Sequence, residues 1–83
     1  MNYLIISKEA CPYCVRAKSK FREYGLPYQE LNVPTDLTRE EFRHMFTEMD
    51  EPLTVPKIYD GSKLVGGYTE LVQYLKELGK RYE

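Results

Sequence analysis

Between Asn2 and Val33 the apolar pattern changes period twice, and this limits the fold more than any composition figure does. The run from Asn2 to Ser7 is short, β-branched and aromatic and stops at polar residues, as a buried strand does. From Pro12 onward Cys14, Ala17, Phe21 and Tyr24 recur at helical spacing, and Gly25 followed by Pro27 supplies a stop. Tyr28 to Val33 alternates again and ends at Pro34. A strand, a helix and a second strand in this order make a βαβ unit, so the chain is expected to carry a parallel strand pair.

The rest of the pattern extends that unit. Thr38-Arg39-Glu40-Glu41 fits a capping box, with Leu37 and Phe42 placed as its hydrophobic staple. Phe42, Met45, Phe46 and Met49 repeat on one helical face, which predicts a second helix to about Asp50. Glu51 and Pro52 begin a loop. Lys57-Ile58-Tyr59, then Asp60-Gly61, then Ser62 to Val65 read as a hairpin around a turn dipeptide. Gly66-Gly67 breaks the pattern. Thr69 is placed to cap a last helix with Leu71, Val72, Leu75 and Leu78 on one face, closed by Gly79 and the basic Lys80-Arg81. The expected fold is therefore α/β: a four-stranded mixed sheet flanked by three helices in the order β-α-β-α-β-β-α.

A chain of 83 residues falls below the range where two cores form, so residues 1–83 are expected to be one domain. With 42% hydrophobic and 30% charged residues it has the balance of a soluble globule. Its net charge of -1 offers no basic field for a phosphate backbone, which argues against nucleic acid as a partner. The uncharged run from Met1 to Ser7 is too short for a signal peptide's apolar region or a membrane span. A cytoplasmic protein that does not engage membranes is the expectation.

Both cysteines of the chain sit in one C-x-x-C, Cys11 and Cys14. A bridge this short hardly constrains an unfolded chain, so the pair reads as chemistry and not as a staple. Its place at a strand-to-helix junction suits redox work. The thiolate is the attacking species, and a helix N-terminus lowers a cysteine pKa from about 8.5 toward neutrality. With Cys11 at the cap and Pro12 at the first helical position, the amides of Tyr13 and Cys14 are free to face the Cys11 sulfur. Cys14 lies one turn further along the same face, within reach of a bridge that opens without refolding. This makes Cys11 the nucleophile and Cys14 the resolving thiol. The competing use of a bare C-x-x-C is half of a zinc or iron–sulfur site. Zinc would want further ligands, and beyond the cysteines only His44 stands out, on a predicted helix surface. No metal ligands are assigned.

Two further segments carry weaker signals. Thr54-Val55-Pro56 precedes a strand; alone it is a turn, but Val55 has a free backbone donor and acceptor that an extended thiol peptide could pair with. Gly66-Gly67-Tyr68-Thr69-Glu70 opens the last helix; alone it is a capped turn, but glycines permit close approach and free helix amides suit a carboxylate. Arg16, Lys18, Lys20 and Arg22 make the first helix basic, either as a solvated face or, less favoured, as a steering field.

Taken together, Cys11-Pro12-Tyr13-Cys14, Thr54-Val55-Pro56 and Gly66-Gly67-Tyr68-Thr69, in this order and at these separations, resemble a glutaredoxin. The run from Cys11 to Lys18 is most similar to the small dithiol glutaredoxins of bacteria. The resemblance implies a thioredoxin fold and a glutathione-dependent oxidoreductase that reduces protein disulfides and glutathione mixed disulfides. Glutathione would be a cosubstrate, with no tightly bound cofactor. The implied protein partners are disulfide-containing or glutathionylated proteins, ribonucleotide reductase among them as a family expectation, and the implied state is a monomer.

Carried over by position, the resemblance gives Cys11 the glutathione mixed disulfide and Cys14 the completion of the dithiol cycle. It makes the Val55-Pro56 bond cis, with Val55 pairing to the glutathione cysteinyl backbone. Lys8, Tyr13 and Thr54 would face the rest of the tripeptide. Around Gly67 and Tyr68, Thr69 and the amide of Glu70 would hold its γ-glutamyl carboxylate. Glu70 departs from the aspartate common in the family, and its extra methylene changes how the side chain would meet the glutathione ammonium. The chain has no tryptophan, so the tryptophan-bearing thioredoxin motif is absent. Two alternatives remain: a related donor reduced by thioredoxin reductase, and a dimer pooling its Cys11 residues around an iron–sulfur cluster. Pro12 disfavours the latter, because it stiffens the loop and removes an amide.

Overall fold

The strand from Tyr3 to Lys8 (β1) has a partner on each side. It runs parallel to Tyr28–Val33 (β2), from Tyr3 opposite Tyr28 to Lys8 opposite Val33. It runs antiparallel to Lys57–Asp60 (β3), from Tyr3 opposite Asp60 to Ile6 opposite Lys57. Lys63–Gly66 (β4) pairs with β3 at one edge, giving the sheet order β2-β1-β3-β4. The computed structural model describes residues 2–82, with side chains through Gly79. Among these, the helices are Pro12–Glu23 (α1), Arg39–Glu48 (α2) and Tyr68–Tyr82 (α3), in the order β-α-β-α-β-β-α expected of a thioredoxin fold. No helix of the described residues is long and apolar enough to cross a membrane.

A central strand paired on both sides can be apolar on both faces. Tyr3 and Ile5 of β1 meet Ala17 and Phe21 of α1, Ile58 of β3, and Leu71 and Leu75 of α3. The Phe21 ring lies 5.2 Å from that of Tyr3 and 5.0 Å from that of Tyr28. On the opposite face Ile6 and Val33 pack against Phe42 and Phe46 of α2, with Leu37 alongside as the expected staple. Ser7 is also buried, and its hydroxyl donates to Glu30 on β2, whose carboxylate accepts from Lys18 of α1 at 2.8 Å. This polar brace ties β1, β2 and α1 together.

The helix ends follow from local chemistry. α1 closes on Gly25 at φ +67, with the Gly25 amide donating to Arg22 O and the Leu26 amide to Phe21 O, both carbonyls of the last turn. α2 closes the same way on Asp50 at φ +56, its amide donating to Thr47 O and that of Glu51 to Phe46 O. At the start of α2 the Glu41 amide donates to Thr38 Oγ1 and the Thr38 amide to Glu41 Oε1, each at 3.0 Å, so the expected capping box is complete.

Several expectations need correction. β1 lies one residue later than the run from Asn2 to Ser7. Met45 and Met49 do not share the buried face of α2; both are exposed, because the helix covers the sheet only with the stripe carrying Phe42 and Phe46. Asp60 stays in β3 opposite Lys63, so the hairpin turns on Gly61 and Ser62, with Gly61 at φ +63. α3 begins at Tyr68, so Thr69 lies inside the first turn and does not cap it. The Gly67 amide is instead satisfied by Glu70 Oε1, which reaches back to 2.7 Å. Gly79 does not end the helix, which continues to Tyr82 with no break at that position. The side chains of Lys80 and Arg81 lie outside those described. The Val33-Pro34 bond is cis, a feature the sequence reading did not single out.

Two measurements check this packing. Phe46→Ala should cost about 3–5 kcal/mol by urea unfolding, while Met45→Ala should stay within about 0.5 kcal/mol; comparable losses would contradict the assigned α2 face. Glu30 is held below the usual carboxylate range, first by the Lys18 ammonium and then by the Ser7 hydroxyl. Its folded value is the lower one, so its contribution is present above the unfolded carboxylate value near pH 4.3 and fades as pH falls through the folded value. Glu30→Gln should therefore flatten the acid limb of the stability curve below about pH 4 and leave the slope above pH 6 unaltered.

Candidate active site

Chain geometry at the end of β1 builds the site. Ala10 sits at φ +54, a left-handed conformation that a residue with a Cβ adopts at some cost and that folds the strand back toward α1. Cys11 follows in extended geometry as the N-cap of α1, and Pro12 occupies the first helical position, where its missing amide costs nothing. The Cys14 amide donates to Cys11 Sγ at 3.2 Å. Sequence reasoning offered the amides of both Tyr13 and Cys14; the bond present is that from Cys14. The first turn of α1 carries no acidic side chain to oppose the positive end of the helix.

Cys11 and Cys14 are joined by a disulfide with their Cα atoms 5.2 Å apart. Their accessibility differs. Cys11 is 8% exposed and Cys14 is 1% exposed, because Cys14 faces the α1 core with Ala17 and Phe21. An external sulfur therefore meets Cys11 first.

Opposite Cys11 lies the segment before β3. The Val55-Pro56 bond is cis, and the Val55 carbonyl oxygen is 3.9 Å from Cys11 Sγ. Thr54 and Val55 share a cavity of about 330 Å³ with Lys8 and Arg39, so two cations stand at one end of the site. Arg39 was missed by sequence reasoning, which read its segment only as a cap; its position one residue after the Thr38 cap was the available signal.

At the other end the N-terminus of α3 approaches. The Tyr13 ring, itself exposed, lies 5.8 Å from that of Tyr68, and the Arg16 guanidinium stands 5.2 Å above it. Gly66, at φ +128, leaves no room for a side chain: a Cβ there would come within 2.8 Å of Glu70. Thr54, Gly67 and Glu70 share a cavity of about 340 Å³ with Glu51 and Lys57. Lys57 was also missed, because it reads as an ordinary strand residue. Thr69 is exposed and turns to the larger cavity of about 930 Å³ between β4 and α3, so its side chain does not share the cavity of Thr54.

Other charged residues are less involved. Lys18, half-buried, pairs with Glu30, and Lys20 pairs with Glu23 within α1. Glu23 raises the Lys20 pKa. His44 is exposed on α2 with Nε2 3.4 Å from Glu48.

A cysteine pair whose outer sulfur sits on a helix N-terminus, beside a backbone carbonyl, is arranged for thiol–disulfide exchange. The comparisons agree. The family profile described as Glutaredoxin matches residues 4–65. Glutaredoxin 1 of Escherichia coli (strain K12) is 30% identical, the match covering 93% of this chain and 95% of that protein. The crystal structure of glutaredoxin 1 from Francisella tularensis, complexed with cacodylate, superposes with a TM-score of 0.78 at 26% identity over 95% of this chain and 96% of that one. A buckwheat glutaredoxin–glutathione complex shares the fold, with a TM-score of 0.80 at 24% identity over 90% of this chain and 68% of that one. The matched profile spans the exchange site from β1 through the cis-proline segment to β4, and the chain belongs to the glutaredoxin family of thiol–disulfide oxidoreductases.

Proposed function

We propose that the chain uses glutathione to reduce glutathione mixed disulfides and protein disulfides, with Cys11 as the attacking thiol and Cys14 as the resolving one. The observation that carries this reading is the Cys14 amide on Cys11 Sγ at the N-terminus of α1, coupled to the burial of Cys14. An amide aimed at a sulfur favours the thiolate over the thiol.

With a glutathionylated protein, the Cys11 thiolate attacks the glutathione sulfur, and the protein leaves as its thiolate. A glutathione thiolate then attacks the glutathione sulfur of the Cys11 adduct, which yields glutathione disulfide and restores Cys11. With a protein disulfide, Cys11 forms a bond to one client sulfur while the other leaves. Cys14, once deprotonated, attacks Cys11 Sγ and releases the client as a dithiol. The Cys11–Cys14 disulfide is the product of that branch, and two glutathiones reopen it, carrying the two electrons.

Glutathione is a tripeptide with a carboxylate at each end, and the site offers a matching pattern. Lys8 and Arg39 suit one carboxylate, and the first-turn amides of α3 around Thr69 and Glu70 suit the other. Val55 has backbone groups for the central cysteinyl residue, held in place by Thr54 and Pro56, while Tyr13, Gly67 and Tyr68 line the approach. The buckwheat relative is itself a glutathione complex. The protein clients are disulfide-bearing or glutathionylated proteins, and a monomer working in the reducing cytosol suits a dithiol that must be recharged.

A coupled assay with glutathione, glutathione reductase and a glutathionylated peptide tests this directly. Cys11→Ser should remove turnover entirely. Cys14→Ser should retain deglutathionylation but lose reduction of a protein disulfide, and equal losses in both variants would sink the division of roles. Presenting the oxidised chain with either glutathione or thioredoxin reductase should give rapid reduction only with glutathione.

A further inference from the structure

Behind the groove beside Cys11 lies a buried cation that the exchange chemistry does not use. Lys57 is the first residue of β3, directly after Pro56, and is only 4% exposed. Its Nζ donates to Thr54 Oγ1 at 3.5 Å and stands 5.3 Å from the centre of the Phe46 ring. Glu51, from the loop after α2, and Glu70, from the first turn of α3, line the same cavity and attract its charge. Glu70 in turn holds the Gly67 amide at 2.7 Å. Thr54, Glu51, Gly67 and Glu70 all line the cavity that Lys57 closes.

Packing alone gives no reason for a charge here. A side chain at this point of β3 lies beside Phe46 on the apolar α2 face, where a methionine of similar length would pack without any desolvation cost. Burial indeed pushes the Lys57 pKa down, while Glu51 and Glu70 pull it back up. What the ammonium does that a thioether would not is hold Thr54, on the cis-proline wall, by a hydrogen bond while attracting Glu70, which with Gly67 forms the α3 wall of the same cavity.

We infer that Lys57 is a positioning residue whose ammonium, hydrogen-bonded to Thr54 and attracting Glu70 across the cavity that all three line, sets the width of the groove that receives the glutathionyl group. The inference rests on the glutathione reading of the site. Lys57 touches neither sulfur, and its effect falls on recognition and not on the exchange step.

The test is steady-state kinetics with a glutathionylated peptide, in the presence of glutathione and glutathione reductase. It compares the unsubstituted chain with Lys57→Met, Lys57→Arg, Thr54→Val and the Lys57→Met/Thr54→Val pair. Lys57→Met should raise KM about tenfold, the size of a lost charged hydrogen bond, with kcat within about twofold. Lys57→Arg should recover most of the KM, and Thr54→Val should cost less in the Lys57→Met background than alone. An unchanged KM in Lys57→Met overturns the inference, as does a loss confined to kcat or one that arginine fails to recover. Should Lys57→Met not fold, Lys57→Gln, which keeps a donor but not the charge, carries the same comparison. Failure of the unsubstituted chain to turn over the peptide overturns the glutathione reading and this inference together. Normal turnover with variants indistinguishable from it overturns the inference alone.

Discussion

The pairing register of β1 against β3 is the constraint on which the site depends. Ile6 stands opposite Lys57, so continuing the antiparallel register sets Pro56 across from the end of β1, where the chain turns through Ala10 into Cys11. That is how residues far apart in sequence come to have a carbonyl 3.9 Å from a sulfur. A slip by one residue would exchange the two faces of β3, bringing Lys57 to the α1 side and Ile58 to the α2 side. Such a slip is opposed from both directions, because Ile58 is wholly buried against α1 and α3 while Lys57 sits over Phe46. The same hydrophobic pattern that fixes the core thus fixes the geometry of the exchange centre.

The parts of this arrangement legible in the sequence are those written in local chemistry. The Thr38–Glu41 box, the Gly25 stop and the proline after Cys11 each express a backbone requirement within a few residues, and each lies where such a requirement predicts. What local reasoning misjudged depends on more distant surroundings. Helical spacing identifies the side on which Phe42, Met45, Phe46 and Met49 fall but not how wide a stripe the sheet will cover, and here the two methionines lie beyond it. By sequence Thr69 reads as a cap, because its side chain precedes the apolar run of the helix; the cap is backbone at Gly67, served by a glutamate reaching back from inside the first turn.

The site residues show the same division. Cys11 and Cys14 announce themselves through their chemistry, and Val55-Pro56 through the proline. Arg39 and Lys57 do not, since an arginine after a threonine cap and a lysine at the head of a strand are unremarked in any chain. Only the tertiary fold gives them meaning, by bringing the start of α2 up to Lys8 and by enclosing the head of β3 between the α2 loop and α3. A charge drawn into the interior by neighbouring elements, as Lys57 is, is what sequence periodicity is least equipped to see, because it assigns charge to the outside.

The unequal exposure of the two sulfurs has a consequence for the timing of the reaction. With Cys14 enclosed against Ala17 and Phe21, the proposed chemistry makes Cys11 both the sulfur through which the chain is oxidised and the one through which it is recharged. A client seated over Cys11 thus blocks the reductant, and a bound reductant blocks the client. In the proposed dithiol cycle the two half-reactions are mutually exclusive in space and so must alternate in time, and the reduced chain acts as a discrete carrier of two electrons from glutathione to the client.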